Sequence, residues 1–310
     1  MNSYLPEGLL ISTQKNIDYI STIEGLERAR SLGAILEAKA VLCDHNLNLH
    51  VELPAGIRAI IPREEAVYTQ SGEIAKDIAI LTRVGKTVCF KIADIKTAGG
   101  VTKAILSRKA AQEECQAEYA GRLLPGDIIR ASVTHVEAFG AFVDIGCGII
   151  SLLSIDSISV SRISHPKERL SVSDTLYAVV KGRDSLGRIN LSMRELLGTW
   201  SENADMFSEG ETVSGIVRGV ESYGVFVELT PNLAGLAEYR DDVKSGQQAA
   251  VYIKSIIPEK MKVKLIIIDT ADRSEPAPPF NYFLNTSEVK HIEKWTYSPT
   301  ESRKLIESVF

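Results

Sequence analysis

The sequence predicts an all-β chain with linking helices, laid out as tandem copies of one strand-rich repeat. Three observations predict it. Residues 124–194 contain runs that alternate apolar and polar side chains. Ile129, Ala131 and Val133 oppose Arg130, Ser132 and Thr134, and Ala141, Val143 and Ile145 oppose Gly140, Phe142 and Asp144. A period of two is the mark of a half-buried strand. Residues 210–229 match residues 126–145 over twenty positions without a gap, and seven are identical. Internal repetition of this kind indicates a tandem array. Between the strand-rich stretches lie short segments with apolar residues at helical spacing.

Composition sets the outer bounds. The chain has 310 residues, 45% apolar and 24% charged, enough for two or three domains. No run approaches the ~18–20 apolar residues of a membrane span, and the first residues lack the basic and apolar regions of a signal peptide. The expectation is a cytoplasmic protein with no membrane partner. Cys43, Cys89, Cys115 and Cys147 are scattered and the five histidines lack metal-ligand spacing, so no disulfide, metal or cofactor is expected. A net charge of −5 and a pI of about 5.7 argue against a strongly basic footprint. A local patch matters more than the sum, and residues 124–195 balance eight basic against eight acidic side chains.

In order, residues 1–33 form a helical or irregular lead-in, with a capping box at Ser21-Thr-Ile-Glu24. Residues 34–110 look like a degenerate first copy. Strands are expected over 35–42, around Leu49, Val51 and Leu53, over 56–62, over 88–93 and over 103–107, with Ala98-Gly99-Gly100 as a hairpin turn. His50 falls where the middle copy has Phe142, and Leu47 where it has Phe139. With the aromatic pair gone, this copy is open to docking on protein. Residues 111–123 finish a linking helix that starts near Arg108, with Ala111, Cys115 and Tyr119 four apart.

The middle copy, 124–195, carries the candidate site. Phe142 sits on the face that should meet water, so either a partner surface or a neighbouring loop must cover it. In the last strand Ile189 and Leu191 point inward, which leaves Arg188, Asn190 and Ser192 outside. An exposed aromatic and an exposed Arg on one small barrel suit a nucleic-acid strand, because bases stack on rings and guanidinium meets phosphate. Arg188 alone also reads as an ordinary solvated charge.

Gly126-Asp127, the Phe-Gly-Ala-Phe-Val stretch from Phe139, Gly148-Ile-Ile, Pro166 and the Asp-x-x-Gly-Arg-Ile-x-Leu-Ser run from Asp184 occur in this order. On these residues 124–194 resembles the S-one RNA-binding domain, the repeat of bacterial ribosomal-protein-S-one-like proteins. The resemblance implies tandem five-stranded OB-type antiparallel β-barrels, with a short helical turn between the third and fourth strands. It also implies a single-stranded RNA surface of Phe139, Phe142, Asp184 and Arg188. The family's third-strand His is replaced here by Ser154.

Residues 196–208 are a second helical linker. Met193, Leu196, Leu197 and Trp200 share one face there, and Trp200 reads as packing rather than as a binding ring. Residues 209–270 are the third, divergent copy. Tyr223, Phe226 and Lys262 take the places of Phe139, Phe142 and Arg188, with Phe226 outside beside Glu228. Pro258 replaces Asp184, and Glu238 stands at the usual His place. Residues 271–310 begin with a linker-like stretch at 275–279. Two short helical pieces are expected after it, one holding Val289, Ile292 and Trp295 and one starting at Ser298. The apolar tail either packs back or docks on a target.

No Gly-x-Ser-x-Gly elbow, Walker loop or His-Glu-x-x-His helix is present. The expected function is therefore non-catalytic: single-stranded RNA binding by aromatic stacking on the barrels, in translation or messenger RNA handling, with the ribosome as partner. The alternative is a protein-interaction adapter docking on the ribosome or the transcription machinery.

Overall fold

The structure, a computed structural model, describes residues 4–54, 56–69, 75–98, 101–273 and 280–310. The stretch 275–279 and the Gly99-Gly100 part of the expected turn lie outside the described residues. Two helices lead in, α1 (Gln14–Ile20) and α2 (Ile23–Ser31). The cap of α2 is Thr22, whose side chain accepts from the Gly25 N–H. Ser21 instead ends α1, so the expected capping box moves by one residue.

The first barrel comprises β1 (Leu36–Cys43), β2 (Leu49–Glu52), β3 (Arg58–Ile61), β4 (Thr87–Ala98) and β5 (Val101–Ser107), with α3 (Asp77–Leu81) between β3 and β4. Helix α4 (Arg108–Glu118) follows, capped by the Ser107 hydroxyl. The middle barrel comprises β6 (Ile128–Glu137), β7 (Gly140–Asp144), β8 (Ile150–Ser154), β9 (Thr175–Arg183) and β10 (Ile189–Ser192). After α5 (Trp200–Ala204) come β11 (Thr212–Glu221), β12 (Gly224–Thr230), β13 (Leu233–Ala237), β14 (Gln248–Ile257) and β15 (Lys262–Ala271).

All three barrels close in the same order, with the fifth strand between the third and the fourth. The third and fifth strands run parallel, as in β3 with β5, β8 with β10 and β13 with β15. A ring of five strands demands this: directions cannot alternate around an odd ring, so one pair must be parallel. Alternation is clean where the core demands it. In β15, Val263, Leu265 and Ile267 are buried while Lys262, Lys264 and Ile266 are exposed. Each fully buried side chain of this size contributes roughly 1.5–3 kcal/mol. Register shifts at Ala40/Leu42 and Val217/Gly219 bend the first strands of the outer barrels, as bulges do.

The chain divides into two compact units. One holds residues 1–123 with 130–132 and 144–150; the other holds 124–129, 133–143 and 151–310. In the first unit, Cys89, Cys115 and Cys147 are free, buried thiols in one apolar cluster with Ala111. Among the described residues no His, Cys, Asp and Glu group could hold a metal, and no helix is long and apolar enough to cross a membrane.

In the second unit the tail departs from expectation. Where two helical pieces were expected, β16 (Lys294–Thr296) pairs antiparallel with β17 (Glu307–Val309). The Ser298 hydroxyl accepts the Ile306 N–H within the connection instead of capping a helix. Trp295 and Tyr297 enter the third barrel's core cluster beside Trp200, so the tail packs back and Trp200 is a packing residue. Ile292 also donates its N–H to the Gly126 carbonyl. A Cβ at Gly126 would lie 2.2 Å from the Ile292 oxygen, which explains a glycine there at φ +91°.

Candidate nucleic-acid interface

The site starts from a hairpin. Ala138 and Phe139 form the turn between β6 and β7, so Phe139 is carried outward at 55% exposure. Its carbonyl accepts the Ile155 N–H at 2.9 Å, which ties the turn to the next loop. Gly140 follows because the chain passes close by: a Cβ there would lie 2.5 Å from the Leu153 carbonyl oxygen. Phe142, two residues on, is half-buried.

The Phe139 and Phe142 rings meet edge to face, with centroids 5.9 Å apart at 86°. His135 also stacks with Phe142, at 6.4 Å and 23°. Two rings thus lie against Phe142. The third barrel repeats the geometry: Tyr223, 67% exposed, meets Phe226 at 6.0 Å and 86°. Such edge contacts suit the ring quadrupole.

The loop between β9 and β10 carries the charged pair. Asp184 Oδ1 accepts the N–H groups of Leu186 and Arg188, each at 2.9 Å, and Oδ2 accepts Arg188 Nε at 2.7 Å. The backbone N–H of Arg188 and its guanidinium hold the Asp184 carboxyl below the usual carboxylate range. Both oxygens of Asp184 are thus engaged. It shapes the loop and steers Arg188, which stays 67% exposed at its side chain.

In the third barrel strand register sets the corresponding groups on one face. Phe226 pairs with Leu236, and Leu236 with Lys264. Lys262 lies two residues earlier on the same exposed face of β15. In the middle barrel β7, β8 and β10 are likewise adjacent, and Asn190 lies opposite Leu152. Ser154 is drawn into a hydrogen bond with Ser157, at 2.9 Å. Glu238 is exposed.

Two residues escaped the sequence reading. Simple alternation sends His135 inward, but two non-buried residues in succession, Thr134 and His135, interrupt the pattern and turn its ring out. Lys264 needs the strand register to be placed two strands from Phe226, across Leu236. Two others were expected to be exposed and are covered instead. Asp144 and Glu228 were expected outside, yet they are 2% and 4% exposed.

Each buried acid is fully occupied. Asp144 accepts the N–H groups of Glu7, Gly146 and Gly148 at 2.7, 2.8 and 3.0 Å, and burial pushes its carboxyl up to about 7. Glu228 accepts Arg169 at 3.0 and 2.5 Å and Arg218 at 2.8 and 3.1 Å.

Residues 123–194 match the family described as "S1 RNA binding domain". The chain is 32% identical over 178 residues to small ribosomal subunit protein bS1 of Leuconostoc lactis, covering 52% of this chain and 41% of that one. With bS1 of Staphylococcus haemolyticus (strain JCSC1435) it shares 26% identity over 302 residues, 90% of this chain and 74% of that one. Among solved structures, a multidomain protein with nucleic acid binding domains from Streptococcus pneumoniae matches at 16% identity. That match covers 76% of this chain and 74% of the other, at a TM-score of 0.25. The chain spans about half the length of the curated relatives it matches. The chain folds as tandem closed five-stranded barrels of the OB type, matches the S1 RNA binding domain over residues 123–194, and is similar to bacterial ribosomal protein bS1.

Proposed function

We propose that the middle barrel is a stacking platform for single-stranded RNA. The repeated edge-to-face aromatic pair carries this reading: the same geometry recurs at Phe139/Phe142 and at Tyr223/Phe226. Phe139 and Phe142 stack on bases, and Arg188, steered by Asp184, meets phosphate or base. Tyr223, Phe226 and Lys262 form a second platform, with Lys264 on the same exposed face of β15 as Lys262. Each stacked base contributes roughly 1–3 kcal/mol. One barrel alone binds weakly; two in one compact unit raise the effective concentration for the second contact.

The strand is messenger RNA and the setting is translation in the cytoplasm, on the model of the ribosomal relatives. The chemistry is binding without catalysis. Fluorescence anisotropy of a labelled single-stranded RNA at two salt concentrations tests the reading. Binding that weakens in salt and drops at least tenfold in Phe139→Ala/Phe142→Ala supports it. No binding by the wild type at low salt refutes it.

A further inference from the structure

The outer face of the first barrel carries a line of charge. Strand pairing sets Lys39 against Glu52, Glu52 against Arg58, Arg58 against Lys103 and Lys103 against Lys96. Residues paired directly across strands project on one face, and all five are exposed. The row holds four cations and one carboxylate, on a chain whose net charge is −5. The side chains of Lys39, Arg58 and Lys103 have no hydrogen bond or ion pair among the described residues. Lys96 reaches only Asp94, at 3.6 Å.

Neighbouring strands lie ~4.8 Å apart, so the row runs about 19 Å around the barrel. Arg58, Lys103 and Lys96 stand next to one another, and like charges directly opposite are unfavourable without a counter-charge. An anion laid along the row removes that penalty.

A pocket of about 390 Å³ opens on the same face, lined by His50, Leu53, Arg58, Ile60 and Lys103. This volume falls within the ~300–1,000 Å³ range of small-ligand pockets. Asp44 holds His50 Nε2 at 3.1 Å, so the ring is oriented. The position of Lys103 is that of Arg188 and Lys262. Each lies two residues before the partner of the matching third-strand position: Ile60 pairs with Ile105, Leu152 with Asn190 and Leu236 with Lys264.

We propose that the first barrel holds the phosphodiester backbone of single-stranded RNA along Lys39, Arg58, Lys103 and Lys96, with one nucleotide seated in the pocket beside His50. A linear row of cations fits a linear polyanion, and the pocket adds apolar walls and a fixed ring for a base. The inference takes its ligand class from the reading of the middle barrel as an RNA platform, but it works by charge where that barrel works by stacking.

The test uses the full chain and a labelled oligouridylate of about 30 nucleotides, long enough for two folds at up to ~16 nucleotides each. The variant is Lys39→Gln/Arg58→Gln/Lys103→Gln, with the charge-conserving Lys39→Arg/Arg58→Lys/Lys103→Arg as control. Binding is measured across a salt series. Each lost phosphate contact flattens the log–log salt slope by about 0.7, so the Gln variant flattens it by about 2 while the control keeps it. An unchanged slope in the Gln variant overturns the inference. So does a Gln variant that binds RNA normally but loses poly-glutamate, which would assign the row to an acidic protein. Phe139→Ala/Phe142→Ala in the same series separates the two readings. If that variant binds as the wild type does while the Gln variant loses slope, the stacking platform fails and the charged row stands. If no variant and no wild type binds RNA, both fail.

Discussion

Replacing Phe139 by Ala separates the ring's structural role from its binding role. The edge-to-face contact with Phe142, at 5.9 Å, exists before any ligand arrives. It therefore cancels in a binding free energy and shows only in stability. Aromatic pairs of this kind contribute about 0.5–1.5 kcal/mol beyond burial. A double-mutant cycle of Phe139→Ala with Phe142→Ala, followed by urea unfolding, should give a coupling of that size. Phe139 is 55% exposed, so the free protein loses little else. Binding reads the other half. Loss of one stacked base costs roughly 1–3 kcal/mol, a drop in affinity of about 5- to 150-fold at fixed salt. The salt slope should not move, because a ring neutralises no phosphate. Isothermal titration of a short oligoribonucleotide into each variant measures affinity and slope together. If Phe139→Ala lowers stability as expected yet changes affinity less than twofold, the ring is a packing element and the stacking argument is wrong.

Arg188→Gln should flatten the salt slope by about 0.7 in the same titration. Asp184→Ala should cost nearly as much affinity, and the pair should be strongly non-additive, because Asp184 acts through Arg188. Gly140→Ala forces a methyl towards the Leu153 carbonyl oxygen, with Cβ at 2.5 Å, and should destabilise by about 1–3 kcal/mol, read as a lowered urea midpoint. Glu37, whose carboxyl burial pushes up to about 7, keeps in the folded state a proton that the unfolded chain releases. Its contribution is present below the ordinary carboxylate value and is lost as pH rises through about 7. It amounts to roughly 3 kcal/mol. Unfolding between pH 5 and 8 should lose this slope in part in Glu37→Gln, with Asp144 supplying the remainder; an identical slope in the variant contradicts the assignment.

The barrels were legible because period-two alternation and a gapless internal match are both local signals. Phe142 and Phe226 stood out as large rings on a face that should be polar, while Phe139 came from the family resemblance and Tyr223 from the internal match. The tail misled because Val289, Ile292 and Trp295 are three apart, which imitates a helix. Pairing between Trp295 and Ser308 decides the matter, and no local pattern contains it. Asp144 and Glu228 misled in another way. An acid in an alternating strand belongs outside unless distant partners satisfy it, and those partners are the Glu7 backbone and the Arg169 and Arg218 guanidiniums. His135 was hidden by an irregularity in its strand, and Lys264 by the need for a register.

One repeat position shows how the copies diverged. Glu52, Asp144 and Glu228 each lie two residues after the ring position of the second strand, at His50, Phe142 and Phe226. In the middle copy the acid is buried and gathers the N–H groups of Glu7 and its own turn. In the third it is buried between two guanidiniums, one of them Arg169 from the long loop of the middle barrel. Removing either partner of such a buried pair costs about 3–5 kcal/mol, because a charge is left behind without compensation. These two positions are therefore committed to packing, and the binding face beside them has only its rings and the fifth-strand cation to use. In the first copy the acid is exposed and unpaired, set between Lys39 and Arg58 in an open row. The barrel that lost its aromatic pair is also the one whose second-strand acid is free of packing duty. The charge recognition proposed there and the stacking proposed in the other two copies rest on that difference at a single place in the repeat.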